Sequence, residues 1–244
     1  MSLTFRPVIL LLAFAPALSS ADGTDWLIAP YGWLPDISLD QSSDSSGGGG
    51  ISGSDLLSKV ESVGMLRFEA ARNRWGLTFD YISLSLADQT TLGDLLPIDI
   101  DSELDLDVIE LGGFYRPSGE VAGVNYLMGL RQISVDKVIL ATPVIGPAQR
   151  LETIADVTDV FLGARYAHRI GDRWDFNLRG DYSFGDSEGT LNLLASVGLR
   201  VAGPFGLQLG YRHVVIEFEE DVGGAPETTE ISLSGPYLGF VFRF

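Results

Sequence analysis

The chain contains no cysteine, only three methionines and two histidines, and 16 Lys and Arg against 33 Asp and Glu. Beyond the N-terminus, no stretch approaches the roughly 20 apolar residues that a membrane-crossing helix requires. Each shortage excludes something. Without cysteine there can be no disulfide, no thiolate zinc site and no cysteine nucleophile. A formal net charge of −17 is the opposite of the basic surface that nucleic-acid binding demands, so no nucleic-acid partner is expected. His168 and His213 are the only imidazoles, and neither has a fixed serine or carboxylate within obvious reach in the sequence, so no catalytic triad is visible. Acidic pairs are too abundant for any one of them to be informative. The run D-I-D-S-E-L-D-L-D (Asp99–Asp107) lacks the glycine and spacing of a calcium-binding hand and reads as a solvated strand end with carboxylates at alternate positions. No enzyme, metal or cofactor is expected.

What is present is alternation. In W-D-F-N-L-R-G-D-Y-S-F (Trp174–Phe184), Trp174, Phe176, Leu178, Tyr182 and Phe184 share one side of a strand. Asp175, Asn177, Arg179, Asp181 and Ser183 share the other. Similar segments recur: Val160, Leu162, Ala164 and Tyr166 alternate with Asp159, Phe161, Gly163 and Arg165. Leu207, Leu209 and Tyr211 alternate with Gln208, Gly210 and Arg212. The N-terminus explains the pattern. Arg6 followed by the apolar stretch Val8–Leu18, with small residues at Ser19 and Ala21, reads as a secretory signal over residues 1–21 cut before Asp22. An exported chain with two-faced strands and no spanning helix is expected to be all-β: a transmembrane antiparallel up-and-down β-barrel over residues 22–244.

About ten strands are expected, with eight to twelve compatible with the spacing. They are Asp25–Leu34, Val63–Arg72, Trp75–Leu86, Glu103–Arg116, Val121–Val135, Val157–Ile170, Arg173–Phe184, Leu191–Ala202, Phe205–Phe218 and Ile231–Phe244. Short connections (Asn73–Arg74, Pro117–Glu120, Gly171–Asp172, Gly203–Pro204) alternate with longer ones, which places both termini at the short-turn, periplasmic rim. The longest connection carries S-S-D-S-S-G-G-G-G (Ser42–Gly50), then a short helical turn with Ser54 as expected N-cap. The apolar phase slips at Tyr81-Ile82, Val108-Ile109 and Gln132-Ile133, which fits either rim bulges or strands continuing above the membrane with a new packing partner.

Sorting by face gives a lumen set of Arg67, Glu69, Asp80, Glu110, Arg131, Asp159, Arg165, Asp175, Arg179, Asp181, Arg200, Arg212 and Arg243. Seven arginines face six carboxylates, so the interior is close to neutral. Unpaired charges in a narrow lumen are costly, and the arginine fork can bridge two carboxylates. The set therefore reads as a structural salt-bridge core, or as the lining of a narrow ion path. Aromatics are expected in two girdles. Trp26, Trp75, Tyr115, Tyr166, Trp174, Phe205 and Phe244 fall at the short-turn rim, with Tyr81, Tyr182, Phe184 and Phe218 toward the other. The remaining acidity must lie on the outer connections, where it would favour cation entry.

Four stretches carry a family resemblance: W-L-I-A-P-Y-G-W-L-P-D-I (Trp26–Ile37), R-N-R-W-G-L-T-F-D-Y (Arg72–Tyr81), G-G-F-Y-R-P (Gly112–Pro117) and G-P-Y-L-G-F-V-F-R-F (Gly235–Phe244). They resemble a group of little-characterised, porin-like proteobacterial outer-membrane β-barrel proteins that open with a P-Y-x-W-L-P stretch, here Pro30–Pro35. The resemblance implies residence in the Gram-negative outer membrane, contact with its lipid and lipopolysaccharide, and an assembly-machinery signal at Phe240, Phe242 and Phe244. The expectation is a monomeric, narrow porin-like passive channel with acidic outer loops. Its rival is a non-conducting surface protein: an adhesin, phage receptor or envelope-stabilising barrel.

Overall fold

The computed structural model describes residues 23–41, 50–92, 98–143, 146–222 and 225–244. Residues 1–21, expected as a secretory signal, and residues 42–49 of the glycine tract lie outside these residues. Twelve strands are formed: β1 (Thr24–Trp33), β2 (Asp36–Gln41), β3 (Gly50–Ile51), β4 (Val60–Arg72), β5 (Trp75–Leu92), β6 (Ile98–Tyr115), β7 (Gly123–Pro143), β8 (Gln149–Ile170), β9 (Trp174–Gly185), β10 (Gly189–Ala202), β11 (Phe205–Val222) and β12 (Ala225–Arg243). One short helix, α1 (Gly53–Lys59), precedes β4. Ten strands close an antiparallel barrel in the order β1-β4-β5-β6-β7-β8-β9-β10-β11-β12, with β12 returning to β1 through pairs such as Leu27↔Arg243 and Trp33↔Tyr237. Closure leaves the ten barrel strands without a free sheet edge.

The two extra strands belong to the N-terminal hairpin. Along β12, β2 continues where β1 stops, so the pair reads as one strand broken at Leu34–Pro35. Proline has no N–H to give to the ladder, and Leu34 N–H turns to Pro236 O at 3.1 Å. Glycine is required opposite the break, because a Cβ at Gly235 would overlap the Leu34 carbonyl and the Pro35 backbone.

At the short-turn rim the expected strand ends fall within about three residues of those observed. The turns are tight: Asn73 adopts φ 56° and Gly203 φ 53°, the left-handed geometry that two-residue hairpins need. Both termini meet here, and Trp26 and Phe244 exchange two backbone hydrogen bonds of 3.1 and 3.0 Å. The ring pairs Trp26–Phe68, Trp75–Tyr115 and Phe205–Phe242 stand at this end.

The outer ends differ from expectation. Strands β5 to β8 run on far past their expected limits, so the connections Ala87–Ser102 and Asp136–Asp156 are mostly strand. On β7 the excess beyond Arg131 is about a dozen residues, roughly 40 Å of strand at about 3.3 Å per residue. Register is continuous across Ile82↔Val108 and Val108↔Ile133, so the phase slips are not bulges. Irregularities fall instead at Val60/Ser62 and Arg200/Ala202. What changes at the slips is which face is apolar: below them the exposed outward positions are aliphatic, as at Ile109 and Leu111, and above them the aliphatic side chains take the inward face. Asp99, Asp101, Glu103, Asp105 and Asp107 occupy the positions alternate to the inward-facing Leu104, Leu106 and Val108. The helix is capped by Ser52, whose Oγ accepts from Asp55 N–H at 3.2 Å, rather than by Ser54.

Candidate functional site

The inward face divides into three levels. At mid-height a belt of hydrogen bonds and ion pairs crosses the bore. Arg131 donates to Glu110 Oε1 through Nε (3.0 Å) and Nη2 (2.7 Å), to Ser183 Oγ at 3.1 Å, and to Asp181. Arg179 bridges the same two carboxylates, Glu110 at 2.8 Å and Asp181 at 2.7 Å. Arg212 reaches Glu110 at 3.5 Å and Asp80 at 3.9 Å, and donates to Asn192 Oδ1 at 2.9 Å. Asp80 also accepts from Arg67 (3.1 Å) and from the Tyr31 hydroxyl (2.7 Å). Strands β1, β4, β5, β6, β7, β9, β10 and β11 are thereby tied to one another inside the barrel. Glu110, Asp181 and Arg131 have side-chain exposures of 2%, 0% and 2%, so these pairs are shielded from solvent screening.

Aromatic rings line the belt. Arg131 and Arg179 lie over the Phe161 face at 5.3 and 5.6 Å, Arg165 and Arg116 over Phe114 at 4.3 and 5.0 Å, and Arg212 over Trp33 at 5.2 Å. Phe114 and Phe161 are buried, and each has room because glycines stand on neighbouring strands: Gly76 against Phe114, Gly112 and Gly129 against Phe161. Trp33, Phe114 and Phe161 thus put rings on the inward face beside the arginines. Above the belt the lumen is filled by an apolar cluster that includes Trp33, Met65, Ile82, Ile133, Val157, Val214, Ile216 and Leu233, with Phe218 packed against it. Phe218 is therefore inward and not part of the outer girdle. A second cluster of Leu84 and Leu86 with Leu34, Ile37, Val60, Leu104 and Leu106 continues upward.

Below the belt a cavity of about 250 Å³ lies at the short-turn end. Its wall includes Arg67, Glu69, Arg116, Arg165, Arg179 and Arg243, with Asp25, Thr78, Asn177 and Gln208 among the other polar groups. Arg165 is paired with Glu69, Arg243 with Asp175 at 3.4 Å, and Arg116 with Asp25 at 3.3 Å.

Of the sequence-derived set, Arg67, Asp80, Glu110, Arg131, Arg179, Asp181 and Arg212 join in the belt. Glu69, Arg165, Asp175 and Arg243 form separate pairs near the cavity. Asp159 meets no arginine in an ion pair; it accepts from Ser183 Oγ at 2.9 Å and from the Ser187 N–H and hydroxyl, which fastens the β9–β10 turn. Arg200 is exposed at the short-turn rim and has no ion-pair partner among the described residues. Sequence reasoning misses the Arg116–Asp25 pair, and also Tyr31, Asn192 and Ser183, whose inward parity is readable. The supposed isolation of His213 is also corrected: its Nδ1 is hydrogen-bonded to Ser234 Oγ on the adjacent strand. Among the described residues, no cluster of three or more His, Cys, Asp or Glu is placed to hold a metal.

No family model and no curated protein matches the chain. Solved structures do. The Escherichia coli outer-membrane protease OmpT is similar over 92% of this chain and 98% of its own, with a TM-score of 0.56 at 6% identity. The translocator domain of the autotransporter NalP from Neisseria meningitidis (11% identity, 96% and 93% coverage, TM-score 0.43) aligns more loosely. So does a Pseudomonas aeruginosa FadL homologue (7% identity, 91% and 90% coverage, TM-score 0.38). At such identities the likeness is one of fold: this chain is a β-barrel of the outer-membrane kind.

Proposed function

We propose that this protein resides in the Gram-negative outer membrane as a monomeric barrel with a closed lumen, a non-conducting surface protein whose acidic strand extensions are its working face. The observation that carries this reading is the belt of Glu110, Arg131, Asp181, Arg179 and Arg212, with the apolar cluster stacked above it. Ten strands leave an interior only slightly wider than the eight-stranded case that side chains fill. Here two consecutive layers, one ionic and one aliphatic, occupy it. Lipid on the outer wall is supported by exposed Leu77, Leu111, Met128, Leu162, Leu178, Leu193, Leu209 and Phe240 around the circumference. Delivery by the outer-membrane assembly machinery, through a C-terminal signal of Phe240, Phe242 and Phe244, belongs to the same proposal, as does contact of the outer rim with lipopolysaccharide through bridging cations. The proposal gives the protein no catalytic role.

Planar-bilayer recording of the refolded protein tests it. The expected result is a silent membrane at all voltages, and regular single-channel steps with cation preference would overturn it. The second reading, a narrow porin-like channel, is favoured by the cavity at the short-turn end, which already covers the lower part of such a path and ends on Arg67 and Arg179.

A charge reversal separates structure from conduction within one pair of variants. Arg179→Glu removes a buried cation shared by Glu110 and Asp181, and is expected to lower the urea midpoint of the refolded barrel by an amount equivalent to about 3–5 kcal/mol. Arg200→Glu, at an exposed and unpaired position, is expected to move it by no more than about 0.5 kcal/mol.

A further inference from the structure

The short-turn cavity has a chemical character unlike the rest of the molecule. In a chain of net charge −17, its wall carries five arginines (Arg67, Arg116, Arg165, Arg179 and Arg243) against two carboxylates, Asp25 and Glu69. The counter-charges that balance the remaining arginines, Asp80, Glu110, Asp175 and Asp181, lie outside the wall, so the guanidinium groups present positive charge to the cavity.

Two of the wall arginines also hold spare donors. Arg67 Nε and Arg116 Nε are buried N–H groups with no acceptor among the described residues, and Arg116 as a whole is 6% exposed. A buried donor without an acceptor costs about 1–3 kcal/mol; both N–H groups are closed off where they stand, so a small turn of either guanidinium would be needed for an oxyanion in the cavity to accept from them. Asn177 and Gln208 add amide groups to the wall. The rest is apolar: Leu27, Ala71, Leu127, Leu178 and Leu194. A cavity with convergent polar groups on an otherwise apolar lining is the usual form of a small-molecule site. The short-turn end of the barrel carries exposed Arg72, Arg74, Arg169, Arg173 and Arg200 against exposed Asp25, Glu120 and Asp172, a balance that would favour anions on that side.

We propose that this cavity binds a small organic anion, one carboxylate or phosphate head held by the arginines and a short apolar body against the leucines, entering from the short-turn side. The proposal is independent of whether the barrel conducts, because the cavity opens at the short-turn end and its upper wall is formed by the belt residues Arg67 and Arg179.

Calorimetric titration of the full refolded chain at fixed ionic strength tests it, with benzoate, inorganic phosphate and tetramethylammonium as probes. Saturable benzoate binding is expected, at least tenfold tighter than phosphate, with none for tetramethylammonium. Gln208→Glu places a carboxylate in the wall without removing an arginine, and should weaken benzoate at least tenfold; it also removes the 2.8 Å bond that Gln208 donates to Ser196, so the urea midpoint should fall, but by less than for Arg179→Glu. Arg116→Gln should weaken it similarly, and Arg200→Gln, outside the wall, by less than twofold. Absence of benzoate binding to the folded protein would overturn the proposal. So would phosphate binding without benzoate binding, or a loss on Arg200→Gln as large as that on Gln208→Glu, since either result would make the effect one of general surface charge.

Discussion

Replacing Glu110 with alanine should cost the barrel about 3–5 kcal/mol, as expected when one partner of a buried ion pair is removed, and is the most damaging single charge deletion expected in this lumen. Glu110 is the acceptor on which three arginines converge: Arg131 through two nitrogens, Arg179 at 2.8 Å and Arg212 at 3.5 Å. Without it, Arg131 and Arg179 would compete for Asp181, and Arg212 would keep only Asp80 at 3.9 Å. Three buried cations would then share two carboxylates, one of which, Asp80, already serves Arg67. The measurement is the urea midpoint of the refolded protein, together with the shift between folded and boiled forms in cold SDS gels. Glu110→Gln keeps the shape and one acceptor, and should fall between wild type and alanine. Asp175→Asn provides the contrast: its pair with Arg243 has side-chain exposures of 20% and 39%, and its removal should cost no more than about 1 kcal/mol. A Glu110→Ala barrel as stable as Asp175→Asn would mean that the belt is an incidental meeting of charges, and the closed-lumen reading would lose its support.

Parity, the elementary property of a strand, makes much of this belt legible in the sequence. Glu110, Arg131, Asp181 and Arg212 sit at alternate positions among lipid-facing residues, and each points where alternation places it. Pairing is a different matter. Glu110 on β6 and Arg212 on β11 are 102 residues apart and on strands that are not neighbours. Their contact follows from the bore diameter and from closure, which no local pattern encodes. The outer strand ends escape a sequence reading for a related reason. Alternation reports which face is apolar but not whether that face looks out or in. At Ile82, Val108 and Ile133 the aliphatic residues pass from the outward to the inward face, and the same period continues with its meaning inverted. A strand crossing that boundary therefore looks like a strand with a defect. The buried rings follow parity too, since Phe114 and Phe161 share the inward phase with Glu110 and Asp159, but their place beneath particular arginines depends on packing across the bore and is not readable from alternation.

Those rings lead to the second large effect, a test of how the lumen is filled. A methyl group at Gly76 would overlap the ring of Phe114, and its three nearest atoms all belong to that ring. At Gly129 the overlap is with the Leu111 carbonyl and the Gly112 backbone as well as with Phe161. Both changes overpack a full interior, but only the first is relieved by removing a side chain. Gly76→Ala alone should cost about 1–3 kcal/mol, and Phe114→Ala alone about 3–5 kcal/mol from the cavity it leaves. Combined, they should cost less than their sum, because the added methyl enters space the ring has vacated. The expected coupling is about 1–2 kcal/mol in a double-mutant cycle on urea midpoints. Gly129→Ala should prevent folding of the barrel, with or without Phe161→Ala, because backbone on the β6 side blocks the methyl. Strict additivity at Gly76 and Phe114 would show that the ring has somewhere else to go. The lumen would then hold free volume continuous with the short-turn cavity that Arg165 and Arg116 line, and the filled-interior reading would fail at that end.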